Sequence, residues 1–328
     1  MRKTIAITGA TGHVGANLVR KLVERGYVVK ALMRKSAEAL SGVPVEIIHG
    51  DLGNPESLKK LCQNAEVVVH AAASISIGAV STKTIFDVNV TGTQNIINAC
   101  KATGVSRLIH FSSVDAFKMN GPDDLVDENT PLDLDSKVAY KKTKALGEKL
   151  ALESATSDME VLVLSPAAIM GPNDFKPSLI GQMLGQMYNG QLPVIVPGGY
   201  HWVDVRDICD VVVSAIEKGK SGEKYLLAGE WVSLAGLAAV IQPLSKHKVL
   251  RATIPTWLAY VGVPFVGIQA KLFGSRPLYT FDSLDILRDG SMHMNAAKAA
   301  AELGFKPRPI KNTITDTIDW FRQNNFLK

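Results

Sequence analysis

The chain has 328 residues, 46% hydrophobic and 20% charged, which supplies a sizeable core and excludes a disordered chain. Lys and Arg number 36 against 31 Asp and Glu, a net charge of +5 with no dense basic run, so nucleic acid is not the expected partner. Cys62, Cys100 and Cys209 are scattered, odd in number and without metal-ligand spacing, which points to a reducing, cytoplasmic compartment with all three buried.

The apolar run after Met1-Arg2-Lys3 is too short for a signal peptide and reads as a strand, Thr4–Ile7. A helix follows with Val14, Leu18, Leu22 and Val23 on one face, stopped by Gly26. Strands are predicted at Tyr27–Met33 and Val45–Ile48, and Asn54-Pro55 caps and opens a helix to about Asn64. Then come a strand at Val67–His70, a helix at Thr82–Thr103, a strand at Arg107–Phe111, a helix at Ser136–Ser157 and a strand at Glu160–Leu164. Strands alternating with helices imply a doubly wound parallel α/β sheet of Rossmann type over residues 1–170.

From Gly171 the rhythm changes. Strands are predicted at Trp202–Val205, Lys224–Ala228 and Lys248–Ile254, and helices at Ile208–Lys218, Leu234–Pro243 and Ile314–Gln323. Residues 171–328 are therefore expected to form a smaller, partly interleaved α+β substrate region, with the strand near 224–228 free to return to the main sheet. Residues 252–270 are uncharged over about the length that spans a bilayer. Pro255, Gly262, Pro264 and Gly267 fragment that run, so it is expected to wall the substrate region, with weak peripheral membrane contact as the alternative.

Thr8-Gly9-Ala10-Thr11-Gly12-His13-Val14-Gly15 joins the first strand to the first helix. Glycines three apart permit a sharp turn, close approach to a pyrophosphate and close helix–sheet packing, while the helix N-terminus offers free N–H groups. This is a candidate dinucleotide site, in which His13 reads as a packing residue. No acid lies between Arg25 and Ala37 to bond a ribose 2′-hydroxyl, whereas Arg34 and Lys35 stand where a cation can clamp a 2′-phosphate. NADP(H) is the expected cofactor and NAD(H) the alternative. Tyr140 and Lys144 share one helical face, so an ammonium beside the phenol is expected to lower its pKa for proton transfer. Ser112-Ser113 follows Arg107–Phe111 at the end where open α/β sheets bind ligands. The acids from Asp123 to Asp135 read as a solvated loop, and Met119, Met170, Met183, Met187 and Trp257–Phe265 as soft apolar surface near a substrate.

Together with Gly50-Asp51-Leu52, Val69-His70-Ala71-Ala72-Ala73, Asn89-Val90-Thr91-Gly92-Thr93, Trp202 to Asp207 and Leu303-Gly304-Phe305, these motifs resemble a known family. Over essentially its whole length the chain resembles an extended short-chain dehydrogenase/reductase of the NAD(P)-dependent epimerase/dehydratase superfamily, dihydroflavonol-reductase-like branch. The resemblance implies that Gly9, Gly12 and Gly15 cradle the pyrophosphate, bordered by Thr8, Thr11, His13 and Val14. It implies that Asp51 and Leu52 meet the adenine, that Ala71, Ala72, Ala73 and Asn89 line the cofactor, and that Pro166 sits by the nicotinamide. Tyr140 would be the general acid/base, Lys144 would hold the nicotinamide ribose, and Ser113 would bond the substrate oxygen. Many relatives carry Arg where this chain has Ser165. Relatives also pair as homodimers through the helices near 82–103 and 136–157.

Three functions stay open. The leading expectation is NADPH-dependent reduction of a carbonyl on a small hydrophobic, phenolic or lipid-like molecule. The others are an NAD-dependent nucleotide-sugar epimerase or dehydratase, and a non-catalytic dinucleotide sensor or assembly factor.

Overall fold

Short, nearly all-apolar runs form parallel strands here because helices cover both faces of the sheet. The computed structural model describes residues 2–35, 38–75, 81–273 and 277–327, with the backbone alone for 266–273. β1 (Thr4–Thr8) leads into α1 (His13–Glu24), β2 (Val28–Met33) and β3 (Glu46–His49). α2 (Pro55–Cys62) starts on Asn54, whose Oδ1 accepts the N–H groups of Glu56 and Ser57 at 3.1 Å. Such a cap contributes about 1 kcal/mol. Next come β4 (Val67–His70), α3 (Thr82–Phe86), α4 (Gly92–Thr103), β5 (Arg107–Phe111), β6 (Leu125–Val126) and α5 (Ala139–Glu153). β7 (Glu160–Pro166), β8 (Ala168–Met170), α6 (Leu179–Tyr188), β9 (Gly199–Asp204) and α7 (Val205–Lys218) follow. The chain continues through β10 (Lys224–Leu227), β11 (Trp231–Ser233), α8 (Leu234–Ile241), α9 (Thr256–Phe273) and α10 (Phe281–Asp289). β12 (His293–Met294), α11 (Ala297–Leu303) and α12 (Ile310–Gln323) close it.

The main sheet runs β10-β7-β5-β4-β1-β2-β3, with every neighbouring pair parallel. Strand order reverses beside β1, and the crevice beyond the carboxyl ends of β1 and β4 is the ligand position in such sheets. Register pairs Thr8 with His70 and His70 with His110, so β1, β4 and β5 end side by side. Leu18 and Leu22 of α1 and Val211 and Ala215 of α7 cover one face; Leu58, Leu61, Ile96, Ile97 and Ala151 cover the other. Each fully buried Leu or Ile contributes about 1.5–3 kcal/mol relative to exposure.

A second core gathers Leu184, Trp202, Leu237, Ile241, Ile314 and Ile318 around a small sheet ordered β11-β9-β8. Asp204 ties the two parts together: it accepts from Arg206 and from Thr313 Oγ1 at 2.9 Å, while Arg206 also pairs with Asp316 at 2.7 Å. Asp207 accepts the Arg308 N–H at 2.7 Å.

Three expectations change. The helix predicted over Thr82–Thr103 is two α-segments joined by a π-turn at Asp87–Thr91, which turns Asn89 inward. Lys248–Ile254 is not a strand: among the described residues its one ladder contact is the isolated bridge between Thr253 and Ile195, and the Val249 N–H donates instead to Gln242 Oε1 at 3.0 Å. The uncharged 252–270 stretch contributes Ala259 and Val263 to the second core, with Ile254 and Tyr260 packed against it, but leaves Trp257, Leu258, Val261 and Phe265 exposed; its side chains from 266 onward fall outside the described residues.

Candidate active site

Gly9 adopts φ +75°, and a Cβ there would lie 2.6 Å from the Ala72 nitrogen and 2.7 Å from the Ala71 carbonyl. The β1–α1 turn therefore rests directly on the end of β4. A Cβ on Gly15 would lie 2.1 Å from the Gly9 oxygen, so only glycine lets α1 press onto the loop. α1 starts at Gly12 without a side-chain cap, which leaves its first N–H groups for a ligand. Bare N–H groups over a cradle that a Cβ would fill suit a pyrophosphate. His13 Nε2 lies 3.1 Å from the carbonyl oxygens of Gly171 and Pro172, and Asn17 donates to Pro172 O at 2.9 Å. His13 thus fastens the loop after β8 over the glycine turn, with Thr11 and Val14 half-buried beside it.

Arg34 and Lys35 are exposed just past β2, on the edge that carries the glycine turn. Asp51, past β3, is exposed and its Oδ1 accepts the Gly53 N–H at 2.8 Å, while Leu52 packs against Gly92. Pro166 ends β7, buried opposite Leu227.

Behind the turn runs a directional hydrogen-bond chain. Thr93 Oγ1 gives its proton to Asn89 O at 2.7 Å, so His70 Nε2 must donate to Thr93 and His70 Nδ1 must accept from Thr8 Oγ1 at 2.6 Å. The Ala72 N–H donates to Thr8 Oγ1 at 3.3 Å. Burial, with the Lys144 charge adding to it, pushes His70 down to about 3, consistent with the neutral ring that this chain requires. Asn89 also accepts the Ser74 N–H at 2.7 Å and donates to Thr143 Oγ1 at 3.1 Å, pinning the segment after Ala71, Ala72 and Ala73 to α5.

Tyr140 and Lys144 lie on successive turns of α5, both buried, and Ser113 is buried just past β5. Lys144 Nζ donates to the Phe111 carbonyl at 2.5 Å, between the strand end and the serines. Burial pulls the ammonium down to about 8, and Glu148 opposes that shift. The expected lowering of Tyr140 is not what this arrangement produces. Burial raises the phenol, the Asp115 carboxylate raises it further, and Ser113 draws it partly back. Asp115 stands beside Ser113, whose Oγ accepts the Asp115 N–H at 3.1 Å; burial raises this carboxyl too.

Asp115 and Glu148 are site residues that sequence reasoning passed over. Glu148 has no exposed surface, and the Ser112 and Ser165 hydroxyls face it without forming a well-made hydrogen bond. Lys224 Nζ is 3.8 Å from its Oε1. The available signal was spacing: Tyr140, Lys144 and Glu148 recur every fourth residue.

Val138, Ile286 and Tyr200 pack on Tyr140 as an apolar wall. A cavity of about 310 Å³ shares Val138 and Ile286 with that wall, but it opens onto charged side chains, among them Lys118, Asp133, Lys141, Asp285 and Arg288. A larger one of about 490 Å³, lined by Thr4, Val28 and Glu46, lies at the opposite, amino ends of β1–β3, away from this chemistry. Comparison with known proteins decides the family. The model for the NAD dependent epimerase/dehydratase family matches residues 5–228. The chain belongs to that family. This epimerase/dehydratase chain is 32% identical over 329 residues to Sterol demethylase protein B of Methylococcus capsulatus, covering 99% of this chain and 100% of that protein. It is 31% identical over 332 residues to a Putative dihydroflavonol 4-reductase of Synechocystis sp., covering 98% and 95% respectively. The crystal structure of gox2253 superposes with a TM-score of 0.85 at 30% identity, covering 100% of both chains. The family comprises oxidoreductases and epimerases of short-chain dehydrogenase/reductase type, and membership places this chain among those enzymes.

Proposed function

We propose that the protein is an NADP(H)-dependent oxidoreductase that reduces a carbonyl on a small hydrophobic, phenolic or lipid-like molecule. The apolar wall of Val138, Ile286 and Tyr200 packed on Tyr140 carries this reading, because it suits a hydrophobic carbonyl bearer. Two relatives named for a sterol and a dihydroflavonol support the same class. Exposed Arg34 and Lys35, with no acid from Arg25 to Ala37, support NADP(H) over NAD(H). Residues 1–170 hold the dinucleotide and residues 171–328 enclose the substrate.

The bound dinucleotide supplies the hydride. A tightly protonated Tyr140 starts as the general acid that reduction needs, giving its proton to the carbonyl oxygen as negative charge develops. Ser113 donates to the same oxygen. Lys144 holds the nicotinamide ribose, and Gly9, Gly12, Gly15, Thr8, Thr11, Ala71 to Ala73 and Asn89 form the rest of the cofactor bed.

The test is NADPH oxidation, with NADH in parallel, across sterol ketones, dihydroflavonols, alkyl ketones and nucleotide sugars. Turnover of a hydrophobic ketone with NADPH preferred is expected. Conversion of a nucleotide sugar with no net NADPH consumption would make the protein an epimerase. Tight NADPH binding with no turnover of any compound would make it a sensor.

A further inference from the structure

The net charge of the chain is concentrated in one stretch. From Trp231 to Phe281 the sequence contains no Asp or Glu and five cations, Lys246, Lys248, Arg251, Lys271 and Arg276, which equal the +5 of the whole chain. Lys246, Lys248 and Arg251 are exposed and lead into α9, where no charge precedes Lys271. Among the described side chains of α9, Tyr260 packs on the second core, whereas Trp257, Val261 and Phe265 are 67%, 56% and 70% exposed and Leu258 is 42% exposed. At 3.6 residues per turn these four fall within an arc of about 100°. Ala259 and Val263 are the buried residues of the described part of α9. Surface helices of globular proteins are normally arranged the other way, with charged residues outside. Phe281, 51% exposed, stacks on Tyr260 at 6.2 Å and widens the apolar face.

We propose that the outward face of α9 docks on the surface of an anionic phospholipid bilayer, with Lys246, Lys248 and Arg251 meeting the headgroups. No helix among the described residues is long and apolar enough to cross a membrane, and Pro264 lies within α9, so the helix lies along the interface. Cations next to an anionic leaflet each strengthen binding, and a tryptophan in the first turn fits the headgroup level. A second copy of the chain suits this face less well, because a two-fold contact would bring the same uncompensated cations together. Asp282, Asp285 and Asp289 on the neighbouring α10 are half-buried, and the last two pair with Arg288. α10 packs on α9 and carries Ile286 of the wall on Tyr140, so docking would bring that wall close to lipid.

The experiment is co-sedimentation of the full chain with vesicles of phosphatidylcholine alone and of phosphatidylcholine mixed with phosphatidylglycerol. It needs neither substrate nor turnover, so its result is separable from the proposed activity. Binding is expected to the mixed vesicles and about a hundredfold less to the neutral ones, where all three cations lose their partners. Trp257→Ser with Phe265→Ser should abolish it, with the thermal midpoint unchanged because both side chains are exposed. Lys248→Gln with Arg251→Gln should weaken it about tenfold or more. No sedimentation with anionic vesicles, or binding indifferent to the Trp257/Phe265 change, would overturn the proposal. So would a dimer that this pair of changes dissociates in the absence of vesicle binding.

Discussion

Glu148→Gln removes a wholly buried carboxylate one helical turn beyond Lys144 while preserving its shape. Burial draws Lys144 down to about 8, and the charge on Glu148 holds it up. Side chains four apart on a helix are about 6 Å apart, where unit charges at an effective dielectric of about 20 interact by about 3 kcal/mol, or about two pK units. Lys224 Nζ, 3.8 Å from Glu148, meets the same carboxylate, but charges interact pairwise, so about two units is the upper bound for Lys144. Because Glu148 favours the charged lysine, its removal can move the titration only downward. The assay is the pH profile of kcat/KM for NADPH, which reports groups of the free enzyme. Its alkaline limb, where Lys144 loses its proton, should move to lower pH in Glu148→Gln by up to about two units. Glu148→Asp, which keeps the charge, should move it less. A limb that stays in place or moves upward refutes the argument.

Tyr140→Phe should lower kcat by about 10²–10⁴ while NADPH affinity, read by fluorescence titration, changes little; near-normal turnover would remove Tyr140 from the chemistry. Arg34→Asp should lower the NADPH/NADH ratio of kcat/KM by about 10–100-fold, the worth of a charged hydrogen bond to a 2′-phosphate. An unchanged ratio would assign the discrimination elsewhere. Gly9→Ala meets both a left-handed φ and the Ala71–Ala72 backbone. It should cost about 1–3 kcal/mol of stability and abolish the rise in Tm on adding NADPH; a variant still stabilised by NADPH would contradict the cradle.

The first half was legible because buried parallel strands leave a plain mark. Val67–His70 and Arg107–Phe111 are short apolar runs flanked by helices, and their predicted bounds match β4 and β5. Asn54-Pro55 announced α2 through a local bond that the side chain makes with its own backbone. Lys248–Ile254 misled because its apolar pattern says nothing about whether a partner edge is available. Glu148 was hidden among Lys141, Lys142, Lys144 and Lys149, a run that reads as a solvated helix face until the fold buries one side of it. The Tyr140–Lys144 spacing was read correctly as one helical face, yet not the direction of the ammonium. It points to the Phe111 carbonyl, an acceptor brought in by a strand far away in sequence. The charge of the chain was visible as a total, but its concentration before and within α9 gained meaning only once Trp257, Val261 and Phe265 were seen to face outward.

Net hydride transfer to a hydrophobic carbonyl is tested most directly by isotope tracing from NADPH that carries deuterium at both hydrogens of nicotinamide C4. With a ketone that turns over, deuterium should appear on the carbinol carbon in proportion to the NADP⁺ formed, and Tyr140→Phe should suppress both together. Alcohol formation without deuterium, or turnover of a nucleotide sugar that leaves the label on the cofactor, would contradict the account.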